Sequence, residues 1–99
     1  MRRSTFTVDA ETVQGNAGAT ATFRCMTVGA MQEYRTTPMT DTDVLQAHLV
    51  NWSDIVDDDG RTLPNLTDEP GVIAALYLHE QQALIRLLFE GPDGPNAKN

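Results

Sequence analysis

Ala47-His-Leu-Val-Asn-Trp-Ser-Asp-Ile-Val-Asp-Asp-Asp-Gly-Arg-Thr-Leu-Pro64 decides how the middle of this chain is read. Val44, Leu45, His48, Leu49 and Trp52 recur at helical spacing, which predicts an amphipathic helix from Thr40 or Asp41 through Trp52. Asp57-Asp-Asp-Gly60 then breaks the helix, and Arg61 to Leu66 reads as a loop.

Upstream, Phe6 and Val8 alternate with Thr5, Thr7 and Asp9, and Ala19 to Met26 alternates again. Gln14-Gly-Asn-Ala-Gly18 between them offers glycines for positive φ. The pair predicts an antiparallel hairpin with Phe6, Val8, Phe23 and Cys25 on the core face. A lone hairpin is marginal in water, so the helices that follow must cover it. Thr27 is placed to cap a short helix to about Arg35, with a stripe of Val28, Met31 and Tyr34 or Arg35. Thr37-Pro38 ends it.

Downstream, Thr67 is read as the cap of a helix with Asp68 and Glu69 in its first turn, Pro70 near its start and Val72, Ile73 and Leu76 on one stripe. A last helix from His79 and Glu80 buries Leu84, Ile85, Leu88 and Phe89. Gly91-Pro92 stops it. The fold class expected is α+β: an N-terminal antiparallel β-hairpin followed by about four short helices packed on one face. Residues 1–91 form a single domain in this reading. Residues 92–99 have nothing to bury and form a flexible polar tail.

Ninety-nine residues suffice for one modest core. Aromatics make up only 6% of the chain, so aliphatic side chains must fill that core. The net charge of −7 is uneven: residues 1–50 hold four Arg against five Asp and Glu, residues 51–99 three basic against nine acidic groups. Such a surface repels phosphate backbones, which argues against nucleic acid and leaves solubility or a basic protein partner as its meaning. No apolar run approaches 18 residues, so no membrane span is expected. Arg2 and Arg3 begin like a signal peptide, but the alternating stretch after them is no h-region, and a cytoplasmic protein is expected.

Residue types able to do chemistry are present but not grouped. With Gly60 at position 6 of a calcium loop, Asp57 and Asp59 fit positions 3 and 5, yet positions 1 and 12 fall on Ile55 and Leu66. A structural acidic turn without metal is the reading of Asp57, Asp58 and Asp59. Cys25, His48 and His79 have no metal-ligand spacing. Cys25 has no flanking residue of the kind that activates a thiol and reads as a buried structural thiol. His48 reads as a core or boundary histidine, and Met26, Met31 and Met39 as core filler. No phosphate-binding glycine loop is present. The expectation is a protein without catalytic residues, metal or cofactor.

The order of a helix, Val50-Asn-Trp-Ser-Asp-Ile-Val56, Asp58-Asp-Gly60 and Leu63-Pro64, then Thr67-Asp-Glu-Pro70 and a helix ending Leu87-Leu-Phe-Glu-Gly91, resembles small tail-assembly chaperones of long-tailed bacteriophages and prophages. The likeness runs over roughly residues 23–91. It implies a non-catalytic protein of the host cytoplasm that binds the tape-measure protein, holds its long helices soluble and assists recruitment of tail-tube subunits. It also implies a longer frameshifted form in many members. The alternative is a small structural tail or head–tail connector component of the particle. The broad apolar faces of the two main helices nominate Leu45, Leu49, Trp52, Leu84 and Leu88 as partner-binding residues, with a helical apolar segment as partner. Apolar surface left uncovered would also favour self-association.

Overall fold

The computed structural model describes residues 4–66 and 68–98, with the side chain of Pro70 left aside. Strand β1 (Thr5–Asp9) pairs antiparallel with β2 (Thr20–Arg24), Phe6 opposite Phe23 and Val8 opposite Ala21. The period of two puts these four side chains under cover, while Thr7 and Thr22 share a hydrogen bond of 2.9 Å between hydroxyls on the other face. Cys25 departs from expectation. It lies one residue beyond β2 and is half-buried, so Ala21 takes the core place beside Phe23. The connection is also richer than a turn. Helix α1 (Glu11–Gln14) forms between the strands and buries Val13, and Gly15 and Gly18 both take positive φ.

Helix α2 (Val28–Thr36) starts where Thr27 Oγ1 accepts from the Ala30 amide at 3.1 Å. Its stripe is not a core stripe, because α2 has no buried residue and Val28 is 73% exposed. Helix α3 (Asp41–His48) carries a complete capping box. Thr40 Oγ1 accepts from the Asp43 amide and Asp43 accepts from the Thr40 amide.

The predicted helix to Trp52 stops four residues short. Leu49 caps α3 and opens β3 (Leu49–Ser53), which pairs antiparallel with β2. Phe23 faces Leu49 while Thr22 faces Asn51, so Val50 is an extra residue in the ladder. That bulge resets the alternation and sends Leu49 and Trp52, three apart, to the same core. Three-residue spacing is also the helical signature, which is why the segment reads as helix. The β-branched and aromatic residues Val50 and Trp52 favour the strand.

After β3, Val56 bridges Thr62 across the acidic turn. A 3-10 helix spans Pro70–Ala75, where an α-helix was expected, and it buries Ile73. The cap assigned to Thr67 lies outside the described residues. Helix α4 (Leu78–Glu90) buries Leu84, Leu87 and Leu88. Leu87 holds the place assigned to Phe89, which is 46% exposed, and Ile85 is only partly covered. Gly91, at φ +77, ends the helix as expected.

The residues after Gly91 do not run free as the flexible tail expected of them. The Asp9 amide donates to the Asn96 carbonyl at 2.8 Å, and β4 (Ala97–Lys98) pairs antiparallel with β1. The cause is the ladder edge of β1, whose amides and carbonyls need partners whatever side chains supply them. The result is an α+β fold with a four-stranded antiparallel sheet in the order β3-β2-β1-β4. Sheet, α3, α4 and the 3-10 helix contribute to one apolar cluster.

Candidate functional site

Two amide side chains set the positions of the elements around the site. Gln81 of α4 donates to the Ile73 carbonyl at 3.1 Å and accepts from Thr42 Oγ1 at 2.8 Å. It thus ties the 3-10 helix and α3 to α4, satisfying a buried polar group that would otherwise be costly. Gln14 of α1 accepts from the Val56 amide at 2.6 Å and donates to its carbonyl at 3.0 Å. It also donates to Glu80 Oε2 at 2.7 Å, whose other oxygen accepts from the Tyr77 amide at the start of α4.

Between the end of α3, the start of β3, and the segment running from Leu66 into the 3-10 helix lies a cleft of about 410 Å³. Gln46, Leu49, Val50, Leu66 and Ile73 line it. Its size is at the low end of ligand pockets, roughly 300–1,000 Å³, enough for one or two apolar side chains. Val50 is at its wall because of the bulge: the extra residue is half-buried.

Leu45, Leu49, Trp52, Leu84 and Leu88, nominated from the sequence as partner-binding, are all buried in the core cluster. Only Leu49 reaches the cleft. Trp52 packs inside and its indole N–H donates to the Pro64 carbonyl at 3.0 Å, which pins the loop after the acidic turn against the sheet. Of the other four wall positions, Ile73 was read only as part of a helical apolar stripe, and Gln46, Val50 and Leu66 were not nominated. Three separate segments bring them together, and Leu66, an apolar residue in a loop, was the nearest thing to a hint.

His48 is buried beside Tyr34. The Tyr34 hydroxyl and His48 Nδ1 are 2.9 Å apart, with the rings edge to face at 5.5 Å. Burial lowers the His48 pKa, a hydrogen bond with the Val44 backbone opposes this, and Arg24 adds to the lowering. Burial raises the Tyr34 pKa, with Glu33 adding to it. This pair is the polar anchor of α2 rather than a reactive couple. His79 is exposed and stacks on Tyr77. Met39 is also exposed, where core filler was expected, and Met26 and Met31 are half-buried.

In the acidic turn, Asp57 Oδ1 accepts from the amides of Asp59 and Arg61, both at 2.9 Å, and Gly60 takes φ +81. These bonds fold the turn back on itself, which is structural work for the carboxylate. The carboxylates of Asp57, Asp58 and Asp59 come within 4.8 Å of one another, and Asp58 and Asp59 are exposed. The two calcium-loop positions that lack ligands, Ile55 and Leu66, are buried in the core. Among the described residues, no helix is long and apolar enough to cross a membrane.

No protein-family model, curated protein or solved structure matches this chain. The likeness to tail-assembly chaperones therefore stands on the quoted residues alone.

Proposed function

We propose that this chain is a non-catalytic protein-binding module that seats an apolar side chain of a helical partner in the cleft at the α3–β3 junction. The observation that carries the reading is the cleft itself, about 410 Å³ with Leu49, Val50, Leu66 and Ile73 on its walls. A partner's Leu or Phe fully buried against Leu49, Val50, Leu66 and Ile73 would gain at most roughly 1.5–3 kcal/mol, with Gln46 offering a polar group beside it. Several such contacts along one helix hold an otherwise insoluble segment in solution. Exposed Val28, Leu78 and Phe89 add apolar surface outside the cleft.

Within that module class, the resemblance of the Val50–Pro64 stretch supports a phage tail-assembly chaperone acting in the host cytoplasm on the tape-measure protein, with tail-tube subunits as further partners. The helical segment seated in the cleft then belongs to the tape-measure protein. The test is co-expression with the tape-measure protein encoded beside it. A soluble complex is expected, weakened by Val50→Asp, which places a charge at the cleft wall. A tape-measure protein equally insoluble with and without this chain would end the chaperone reading. Recovery of the chain in finished virions would replace it with a structural tail or connector role.

A further inference from the structure

Helix α4 is apolar on two sides. One side buries Leu84, Leu87 and Leu88 in the core cluster. The other carries Leu78, Gln82, Ile85 and Phe89, separated by four, three and four residues. That spacing sets them in one line along the helix, as in the seam of a two-helix coiled coil. Leu78 is 70% exposed, Gln82 and Phe89 are exposed, and Ile85 is half-buried. Leu78 and Phe89 lie equally far from the midpoint of the line, and so do Gln82 and Ile85. A second α4 laid antiparallel across a two-fold axis at that midpoint sets Leu78 opposite Phe89 of the other copy, and Gln82 opposite Ile85. Antiparallel helices also bring opposite ends of their dipoles together.

Charge permits the approach at this place. The chain carries −7, which repels its own copies in general. From Tyr77 to Phe89, however, Glu80 is buried and Arg86 is the one exposed Asp, Glu, Lys or Arg. The line of apolar residues therefore crosses a stretch with no exposed acid.

We propose that α4 pairs antiparallel with α4 of a second copy of this chain through Leu78, Gln82, Ile85 and Phe89. The surface lies outside the cleft, and the pairing does not depend on what the cleft holds. Thirteen residues make a helix about 20 Å long. Such a face buries less than the roughly 1,600 Å² of a standard interface, so the dimer is weak, with a Kd on the order of 0.1 mM. Gln82 is the polar member of the seam and fixes one alignment at a cost in affinity.

Sedimentation equilibrium of the full chain from about 10 μM to about 1 mM tests this, with monomer expected at the low end and a growing dimer fraction toward the high end. Association should tighten in about 0.5 M salt, which screens the repulsion between copies and leaves apolar contacts in place. Leu78→Asp should abolish the dimer, and Gln82→Leu should tighten it at least about tenfold. Both positions are exposed, so an unchanged urea midpoint at low concentration separates a lost seam from a lost fold. Orientation is read from a spin label on Glu90→Cys in a Cys25→Ser chain, mixed with isotope-labelled native chain. Antiparallel pairing broadens the amides of residues 77–79 in the native copy. A monomer at about 1 mM, association that weakens with salt, a dimer indifferent to Leu78→Asp or Gln82→Leu, or broadening confined to residues around Glu90 would each overturn the proposal. Val50→Asp, which tests the cleft, should leave the dimer unchanged, so either reading can fail without the other.

Discussion

Helices α2 and α4 begin with comparable care and end up with different standing. Thr27 caps α2 with its hydroxyl, and Glu80 reaches back to the Tyr77 amide at the start of α4. Yet α4 buries Leu84, Leu87 and Leu88, and α2 buries nothing. What holds α2 is the contact of Tyr34 with buried His48, together with partial cover of Met31. Local signals say where a helix forms. Burial decides how firmly it belongs to the fold, since most helical stability in a protein comes from packing an apolar face. The two helices should therefore respond to mutation on different scales, and α2 should open locally without the rest.

The comparison breaks most readily at Leu84. Leu84→Ala should cost about 2–5 kcal/mol, because the side chain is fully buried and its removal leaves a cavity. Urea unfolding measures this, and a loss under 1 kcal/mol would mean α4 is no better packed than α2. Thr27→Ala should weaken α2 by about 1 kcal/mol through the lost cap. Because α2 opens on its own, that loss should appear as roughly fivefold faster amide exchange within residues 28–36. The global urea midpoint should hardly move. An equal drop in global stability would show that α2 and the core unfold together.

A third test uses pH. Burial lowers the His48 pKa, so the fold prefers the neutral imidazole. Above about 6.5, the ordinary histidine value, the group is neutral in both states and its contribution is full. As pH falls below that value the unfolded chain takes up the proton first, and stability drops until the lower folded pKa is passed. The urea midpoint of the native chain should fall more between pH 7.5 and 5.5 than that of His48→Gln. The protection of the α2 amides, measured relative to the pH-dependent intrinsic exchange rate, should fall over the same interval, since Tyr34 leans on the group that is protonated. Matching pH profiles for the two proteins would remove His48 from the account. The smallest effect is expected at exposed Val28, where Val28→Ala should stay within about 0.5 kcal/mol in thermal melts. A larger loss there would show that Val28 is packed in solution, contrary to its exposure on α2.

The same contrast explains what could be read from the sequence. Caps were legible because they are local: Thr27 and Gly91 act within three or four residues of themselves. The hairpin register was legible because alternation in two strands leaves one way to hide Phe6, Val8 and Phe23. The α3–β3 junction was not, since a bulged strand spaces Leu49 and Trp52 as a helix does. Leu87 and Phe89 flank Leu88, and which of them turns inward depends on how α4 sits on the sheet. The pairing of β4 with β1 is made by backbone groups, so Ala97 and Lys98 carry no side-chain pattern that announces it. The cleft joins residues as far apart as Gln46 and Ile73, and no window of sequence contains it.

Gln14 gives the fold a time dimension. Its side chain bonds residues 42 and 66 positions away in the chain, which meet only after long loops have closed. Such bonds are expected to be absent from the folding transition state and present only in the finished structure. Gln14→Ala should then raise the unfolding rate and leave the refolding rate nearly unchanged, seen as a displaced unfolding arm in stopped-flow kinetics. A slowed refolding arm would place Gln14 in the nucleus instead. On this account one amide governs how long the native molecule lasts between openings, while the route by which it forms is set elsewhere.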